Sequence, residues 1–519
     1  MDVAVRNSSP WIKILWVIPG FVLLAILPLP IITGIATLGL VGIIFLWKRQ
    51  RLAIFWGDIK PIWPLLVVLF AYFYFPFSSV DPKIRTSGEY FSIYSRFVAG
   101  LSIWEMLLLF CFSVLMWRKW RSGALNLSFG NWRGVPLYLF FFALAIAIGL
   151  LHVDGSVLGY GPTELRWVIV ATMPIAYFLA IFLLIVNIVE TRQQTERMIK
   201  WLDRFTFGLI IYGVVRLILI MTGYVQTLIP FGLPIVLYDQ MNLFYAPIFI
   251  ITARLVMKEK LGTLQYINLI LMLFFILCST RRFNYIFLVL GVVTVLAIGV
   301  LSNSWSVKHF LGFLSKGVAA FALALIALMI AVPSFVDGVA NSVNSINMFS
   351  KFGQKYGGDS RVAQIENIFA NLKRRPYAYL IGFGLGTKWQ AIEPQPMDSM
   401  AFPEEYMRQS KGWYPKFHLP YVASFYRFGI IGATCLIMWI GFYLKAYLRI
   451  LRMKNVTNKS FCMGTIAFLA ISLPMIGDST SPVLPILCGL YMGIMEKLTL
   501  AANYPAPAPV EDESQHYTP

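Results

Sequence analysis

Apolar runs of about 16–24 residues recur along the chain, separated by short polar and basic segments. Each is near the length that crosses a hydrocarbon core of about 30 Å as a helix. The pattern predicts fourteen spans. The first two, 12–29 and 31–47, are interrupted by Pro19, Pro28 and Pro30, so the expected number is about 14 (12–14). No small-residue cleavage site follows the first run and another apolar run starts at once, so it reads as a span and not as a signal peptide. One gap breaks the rhythm. Residues 334–420 are polar, and long loops of this kind are usually functional. Within this loop Val362, Ile365, Ile368, Phe369 and Leu372 recur at helical spacing after Asp359 and Ser360, a plausible N-cap, which predicts a helix ending at Arg374–Pro376. A glycine-rich turn follows, Gly382-Phe-Gly384-Leu-Gly386. The expected architecture is an all-α integral membrane bundle. Residues 1–333 form the first eleven spans, 334–420 an outer, partly helical loop domain, 421–500 the last three spans, and 501–519 a disordered tail. No internal repeat is visible.

Composition agrees with that pattern. Hydrophobic residues make up 58% of the 519 and charged residues 13%, too few charges to cover a water-soluble protein of this size. Mean hydropathy is +0.72. A soluble enzyme, a secreted disulfide scaffold and a disordered chain are thereby excluded. The five cysteines all fall in apolar stretches and read as small hydrophobes, with no metal-binding spacing. The formal charge of +19 belongs to basic loops and not to a nucleic-acid surface, because 25 of the 43 Lys and Arg fall in segments on one side of the predicted bundle and 6 in the short segments on the other. Basic loops stay in the cytoplasm. That asymmetry puts both termini inside and the long loop outside.

Charges inside or bordering a membrane are costly and mark functional sites. Arg281-Arg282 sits between two spans on the outer side, against the basic-inside trend. Two guanidiniums there suit a diphosphate, since arginine pairs bidentately with phosphate oxygens; snorkelling to headgroups is the plainer reading. Arg216 falls near the middle of the predicted span 205–228 and must face a cavity or a partner, or snorkel. Arg427 also lies within a span. His152 and His418 are the outer-side histidines, and His418 closes the long loop, where an imidazole can exchange protons near neutral pH. Asp478 stands at an outer span end, as a helix cap or a partner for an arginine of the site. The run Lys373-Arg374-Arg375 reads as a solvated face or as an attractor of anions.

Here a family pattern is legible. The segment Ser360-Arg361-Val-Ala-Gln-Ile, Arg375-Pro376, Ile381-Gly382-Phe-Gly384-Leu-Gly386, Phe417-His418-Leu-Pro-Tyr421 and Phe428-Gly429-Ile-Ile-Gly432 resembles the signature region of the bacterial O-antigen ligase and O-antigen polymerase family. Ser279-Thr-Arg281-Arg282 is similar to the family's Ser-Arg-Gly at a periplasmic helix end; Arg282 replaces the Gly, which aligns Arg281 with the family's arginine. Leu419 stands where Asn usually follows the His, and Arg427 where a Glu is common. The resemblance implies a glycosyltransferase of the inner membrane that moves a glycan from polyprenyl (undecaprenyl) diphosphate to an acceptor hydroxyl at the periplasmic face. The acceptor would be a lipid A core sugar or another lipid-linked repeat. It implies no cofactor and no metal. Arg281, with Arg361, Arg216 and Arg282, would bind the diphosphate; His418 would be catalytic; Asp478 and Arg427 would support the site. The expected partners are the lipid-linked donor, the glycan acceptor and membrane lipid. Fourteen spans would also suit a flippase for lipid-linked oligosaccharides, but that reading wants matched, broken helices in repeated halves.

Overall fold

A computed structural model describes residues 60–74, 96–98, 101–123, 126–129, 135–153, 164–223, 236–237, 239–279, 282–302, 359–392, 412–414, 417, 419–452, 458–478 and 483–503, with isolated positions between 308 and 344. The helices in order are α1 (Trp63–Tyr74), α2 (Ile103–Arg121), α3 (Val135–Leu150), α4 (Leu165–Ile188), α5 (Arg192–Met221), α6 (Tyr245–Val256), α7 (Thr263–Cys278), α8 (Arg282–Leu301), α9 (Asp359–Arg374), α10 (Tyr377–Ile381), α11 (Pro420–Arg452), α12 (Lys459–Ser472) and α13 (Val483–Asn503). Every expected span that falls on described residues is met by a helix. The expected spans 12–29, 31–47 and 317–333 lie outside them, as does the tail beyond 503. Among the described residues five helices are long and apolar enough to cross a membrane, beginning at Leu165, Arg192, Phe283, Tyr421 and Lys459.

Two helices differ from the apolar pattern in ways that matter. The apolar run at 97–117 becomes a helix only from Ile103, because Arg96–Val98 (β1) and Leu101–Ser102 (β2) form a short antiparallel ribbon. Ser102 then caps α2, its Oγ accepting from the Glu105 N–H at 3.2 Å while Glu105 Oε2 accepts from the Ser102 N–H at 2.6 Å. Such reciprocal capping satisfies two orphan donors at once. Helix α5 starts at Arg192, thirteen residues before its apolar run, through the same device at Thr191 and Gln194. Thr195, Met198, Ile199 and Leu202 are buried at helical spacing along that extension. Its other end comes early, at Met221.

Pairwise contacts fix which helix ends lie together. Arg254 approaches Asp203 at 3.8 Å, Ser460 Oγ donates to Glu259 at 2.9 Å, and Arg452 donates to the Leu301 carbonyl at 3.2 Å. The start of α5, the ends of α6, α8 and α11, and the start of α12 therefore share one end of the bundle. Arg192, Arg197, Lys200, Arg254, Lys258, Lys260, Lys445, Arg449, Arg452 and Lys459 crowd it. The opposite end holds the start of α4, the ends of α3, α5, α7 and α12, and the starts of α6, α8, α11 and α13. The core between them is continuous and apolar, with Gly464 of α12 against the backbone of Ile250 and Gly489 of α13 against that of Phe178. Bare glycine faces let these backbones approach closely.

Candidate active site

Helix α11 is broken near its start. Gly429 sits at φ 61°, ψ −169°, values that no helical residue adopts. A break inside an apolar bundle strands carbonyl oxygens of the preceding turn, and each must find a donor. The glycine-rich turn after α10 supplies them. The Phe383 N–H donates to the Tyr426 carbonyl and the Gly384 N–H to the Arg427 carbonyl, both at 2.9 Å; the Leu385 N–H reaches across to the Ala145 carbonyl of α3, also at 2.9 Å. This docking demands glycine. Gly382, Gly384 and Gly386 have φ of 74°, 82° and 82°. A Cβ on them would lie 2.2 Å from the Arg427 oxygen, 2.1 Å from the Gly149 nitrogen and 2.4 Å from the Val168 backbone. The three glycines thus thread one turn between α11, α3 and α4.

Around the turn lies a second, aromatic core. Ile368 and Leu372 of α9, Phe383, Trp389, Tyr414, Phe417 and Tyr426 are buried together. Tyr426 stacks 4.5 Å from Phe383 and donates through its hydroxyl to the Lys388 carbonyl at 3.0 Å. Residues Trp389–Gln390 (β3) pair antiparallel with Trp413–Tyr414 (β4). The outer edge of β3 is closed by side chains. Asn371 accepts from the Gln390 N–H at 3.0 Å and donates to its carbonyl at 2.7 Å; Asn367, one helical turn earlier, accepts from the Ile392 N–H. Both asparagines are fully buried. Two amides at i and i+4 of a helix thus imitate a third strand and hold the chain that leads to Phe417 and His418. Asn371→Leu is expected to lower unfolding stability by about 2 kcal/mol, since both Gln390 groups lose a partner; thermal unfolding of the purified variant measures it.

The helix α9 predicted from periodicity is observed at Asp359–Arg374. Asp359 and Ser360 fall in its first turn and do not precede it. The end of α7 and the start of α8, which flank Arg281 in the sequence, are braced by buried hydrogen bonds. Tyr245 Oη donates to Asn284 Oδ1 at 2.6 Å, Asn284 Nδ2 donates to Ser279 Oγ at 2.8 Å, and Ser279 Oγ donates to the Ile276 carbonyl at 2.6 Å. Ser279, Asn284 and Tyr245 are buried. A satisfied polar chain in an apolar surrounding holds one geometry, because any loosening strands a buried group.

Arg281 and His418 themselves lie outside the described residues, as do the side chains of Arg282, Arg361 and Asp478. Arg282 opens α8, and Arg361 is the third residue of α9, three before the buried Gln364. Asp478 ends a short 3-10 helix, Leu473–Asp478. Arg216 differs from its expected position. Because α5 ends at Met221, Arg216 stands in its last two turns and not mid-span, with Nη1 3.4 Å from Tyr212 Oη. Arg427 is 5% exposed and lies 5.1 Å over the Phe417 ring, a cation–π contact that packs it into the aromatic core. Arg216, Arg427 and the backbone positions of Arg282, Arg361 and Asp478 share the end of the bundle away from the basic cluster.

Residues 267–437 match the sequence profile of the family described as O-antigen ligase. This segment is similar to the O-antigen ligase family, in line with the resemblance read from the sequence. It runs from the first turn of α7 to the middle of α11, and so contains the braced ends of α7 and α8, α9, the glycine turn and the break at Gly429. Helices α1–α6, α12 and α13 lie outside it, as do Arg216 and Asp478. No curated protein and no solved structure matches the chain significantly. The similarity to the O-antigen ligase family indicates a glycosyltransferase-type enzyme of the ligase/polymerase kind, acting in a membrane.

Sequence reading missed the polar braces. Ser279 stands in the stretch Ser279-Thr-Arg281-Arg282 and Asn284 two residues beyond it, and the sequence reading gives neither a role. Asn367 and Asn371 interrupt the apolar face of α9, and a polar residue at a core position was the signal available.

Proposed function

We propose that the protein transfers a glycan from polyprenyl (undecaprenyl) diphosphate to an acceptor hydroxyl at the periplasmic face of the inner membrane, as an O-antigen ligase or a surface-polysaccharide polymerase. The carrying observation is the O-antigen ligase match over the elements that meet at one end of the bundle. The Lys and Arg crowding the other end support a cytoplasmic assignment for that end. Both termini would then be cytoplasmic.

The leaving group is a diphosphate, already a good one, so it needs its charge neutralised more than it needs a proton. Arg281, aided by Arg282, Arg361 and Arg216, takes that role; guanidinium charge makes a metal unnecessary in this reading. His418 accepts the proton of the acceptor hydroxyl as its oxygen attacks the anomeric carbon. The anomeric C–O bond to the diphosphate breaks, polyprenyl diphosphate departs, and the anomer inverts. Arg427, by packing against Phe417, fixes the backbone next to His418, and Asp478 lies at the same end to offset arginine charge.

The test is transfer by purified protein from a polyprenyl-diphosphate-linked repeat, resolved on a gel, with and without a lipid A core acceptor. A ladder of longer lipid-linked chains identifies a polymerase; product only with the core identifies a ligase. His418→Ala is expected to abolish either product. Full activity in that variant would overturn the assignment of His418, and no product from the wild type would overturn the reading as a whole.

A further inference from the structure

Past the end of α3, His152 is 0% exposed. Both ring nitrogens are engaged. Nδ1 lies 2.8 Å from the Ile148 carbonyl and Nε2 3.0 Å from the Tyr377 hydroxyl. A carbonyl oxygen can only accept, so Nδ1 carries the proton. Burial pushes the imidazole below its ordinary value; the Ile148 bond opposes this and the nearby Arg375 charge adds to it. The neutral ring therefore leaves Nε2 as a bare acceptor, and Tyr377 must donate to it. The rotor of the Tyr377 hydroxyl is thereby set. Its proton points inward at His152, and its remaining lone pair points away from His152 and can only accept.

The ring of Tyr377 is half-buried. It opens α10 directly after Pro376, and Phe383 of the glycine turn packs against both it and His152, with centroids at 6.3 Å and 5.7 Å. Phe383 in turn contacts Tyr426, which contacts Phe417 at 5.4 Å. A continuous aromatic path thus joins Tyr377 to the residue before His418, whereas the braced ends flanking Arg281 are built on α6, α7 and α8. A half-exposed aromatic ring carrying an oriented acceptor suits a pyranose, which offers an apolar face and hydroxyl donors. We propose that Tyr377 is a subsite for a sugar hydroxyl of the acceptor glycan, with His152 as its positioning residue. This rests on the transferase reading above and adds the acceptor side to it.

The experiment compares wild type, Tyr377→Phe and His152→Gln in the same purified transfer assay. The fixed donor is the polyprenyl-diphosphate-linked repeat. The titrated acceptor is lipid A core oligosaccharide, or the repeat itself where donor alone elongates. Donor hydrolysis without acceptor is read in parallel with thermal unfolding. Tyr377→Phe is expected to raise the acceptor KM about tenfold, the loss of one good hydrogen bond, with kcat within twofold and hydrolysis unchanged. His152→Gln, whose amide can still donate and accept, is expected to shift KM in the same direction by less. An unchanged acceptor KM in Tyr377→Phe, or a fall in kcat alone, overturns the subsite while leaving transfer intact. A wild type that turns over no donor overturns the transferase reading, and the subsite with it.

Discussion

Arg281→Ala is expected to lower the transfer rate of the purified protein by about 10²–10³-fold, the cost of removing one preorganised charge donor aimed at a developing anion. Protein level and thermal unfolding should stay near those of the wild type, because the bonds Tyr245–Asn284 and Asn284–Ser279 are made by other side chains. Those bonds make the prediction sharper. Helix α7 ends at Cys278 and α8 opens at Arg282, so the buried bonds of Ser279 and Asn284 brace the two helix ends that flank Arg281 in the sequence. Preorganisation of this kind makes a guanidinium effective, since the charge need not be reoriented as the diphosphate leaves. Asn284→Leu keeps both arginines but cuts those bonds, and should lose a smaller part of the rate together with some stability. A drop below tenfold for Arg281→Ala, measured on protein of normal yield, would remove Arg281 from the diphosphate site.

Gly384→Ala is expected to have the largest effect on stability, about 4 kcal/mol or more. Two costs add. At φ 82° an alanine pays roughly 1–2 kcal/mol for a left-handed backbone. Its Cβ would also lie 2.1 Å from the Gly149 nitrogen, a backbone atom that cannot swing away. The turn must therefore lift off α3. It would then withdraw the Phe383 and Gly384 N–H groups from the carbonyls freed by the α11 break, at about 1–3 kcal/mol for each buried group left unpaired. Gly412 provides the control. It has φ 80° but nothing within 4 Å of a Cβ, so Gly412→Ala bears only the first cost. Thermal unfolding of the two variants side by side separates the effects. Equal losses would show that the close approach of the turn to α3 contributes nothing.

What the sequence determined by itself was set by each residue's dealings with its solvent. An apolar run of about 20 residues prefers hydrocarbon whatever surrounds it, so the helices α1–α8 and α11–α13 were legible one at a time. The basic residues around Arg254, Arg449 and Lys459, which the charge count grouped together, gather at one end of the bundle. Helix α9 was legible from its own apolar spacing. The O-antigen ligase resemblance rested on residues near one another in the chain, and the match at 267–437 bears it out. Polar caps carried the start of α5 ahead of its apolar run, and its end at Met221 put Arg216 near a helix end. The rest needed pairs of distant segments. Nothing local in Gly429 announces that its broken helix will be mended by Phe383 and Gly384, or that Asn371 will stand in for a strand beside Gln390. His152 and Tyr377 are separated by more than two hundred residues, and only the docking of the glycine turn on α3 brings them within 3.0 Å. Buried hydrogen bonds and backbone crossings are properties of pairs, and a pair exists only once the tertiary fold has chosen which segments meet.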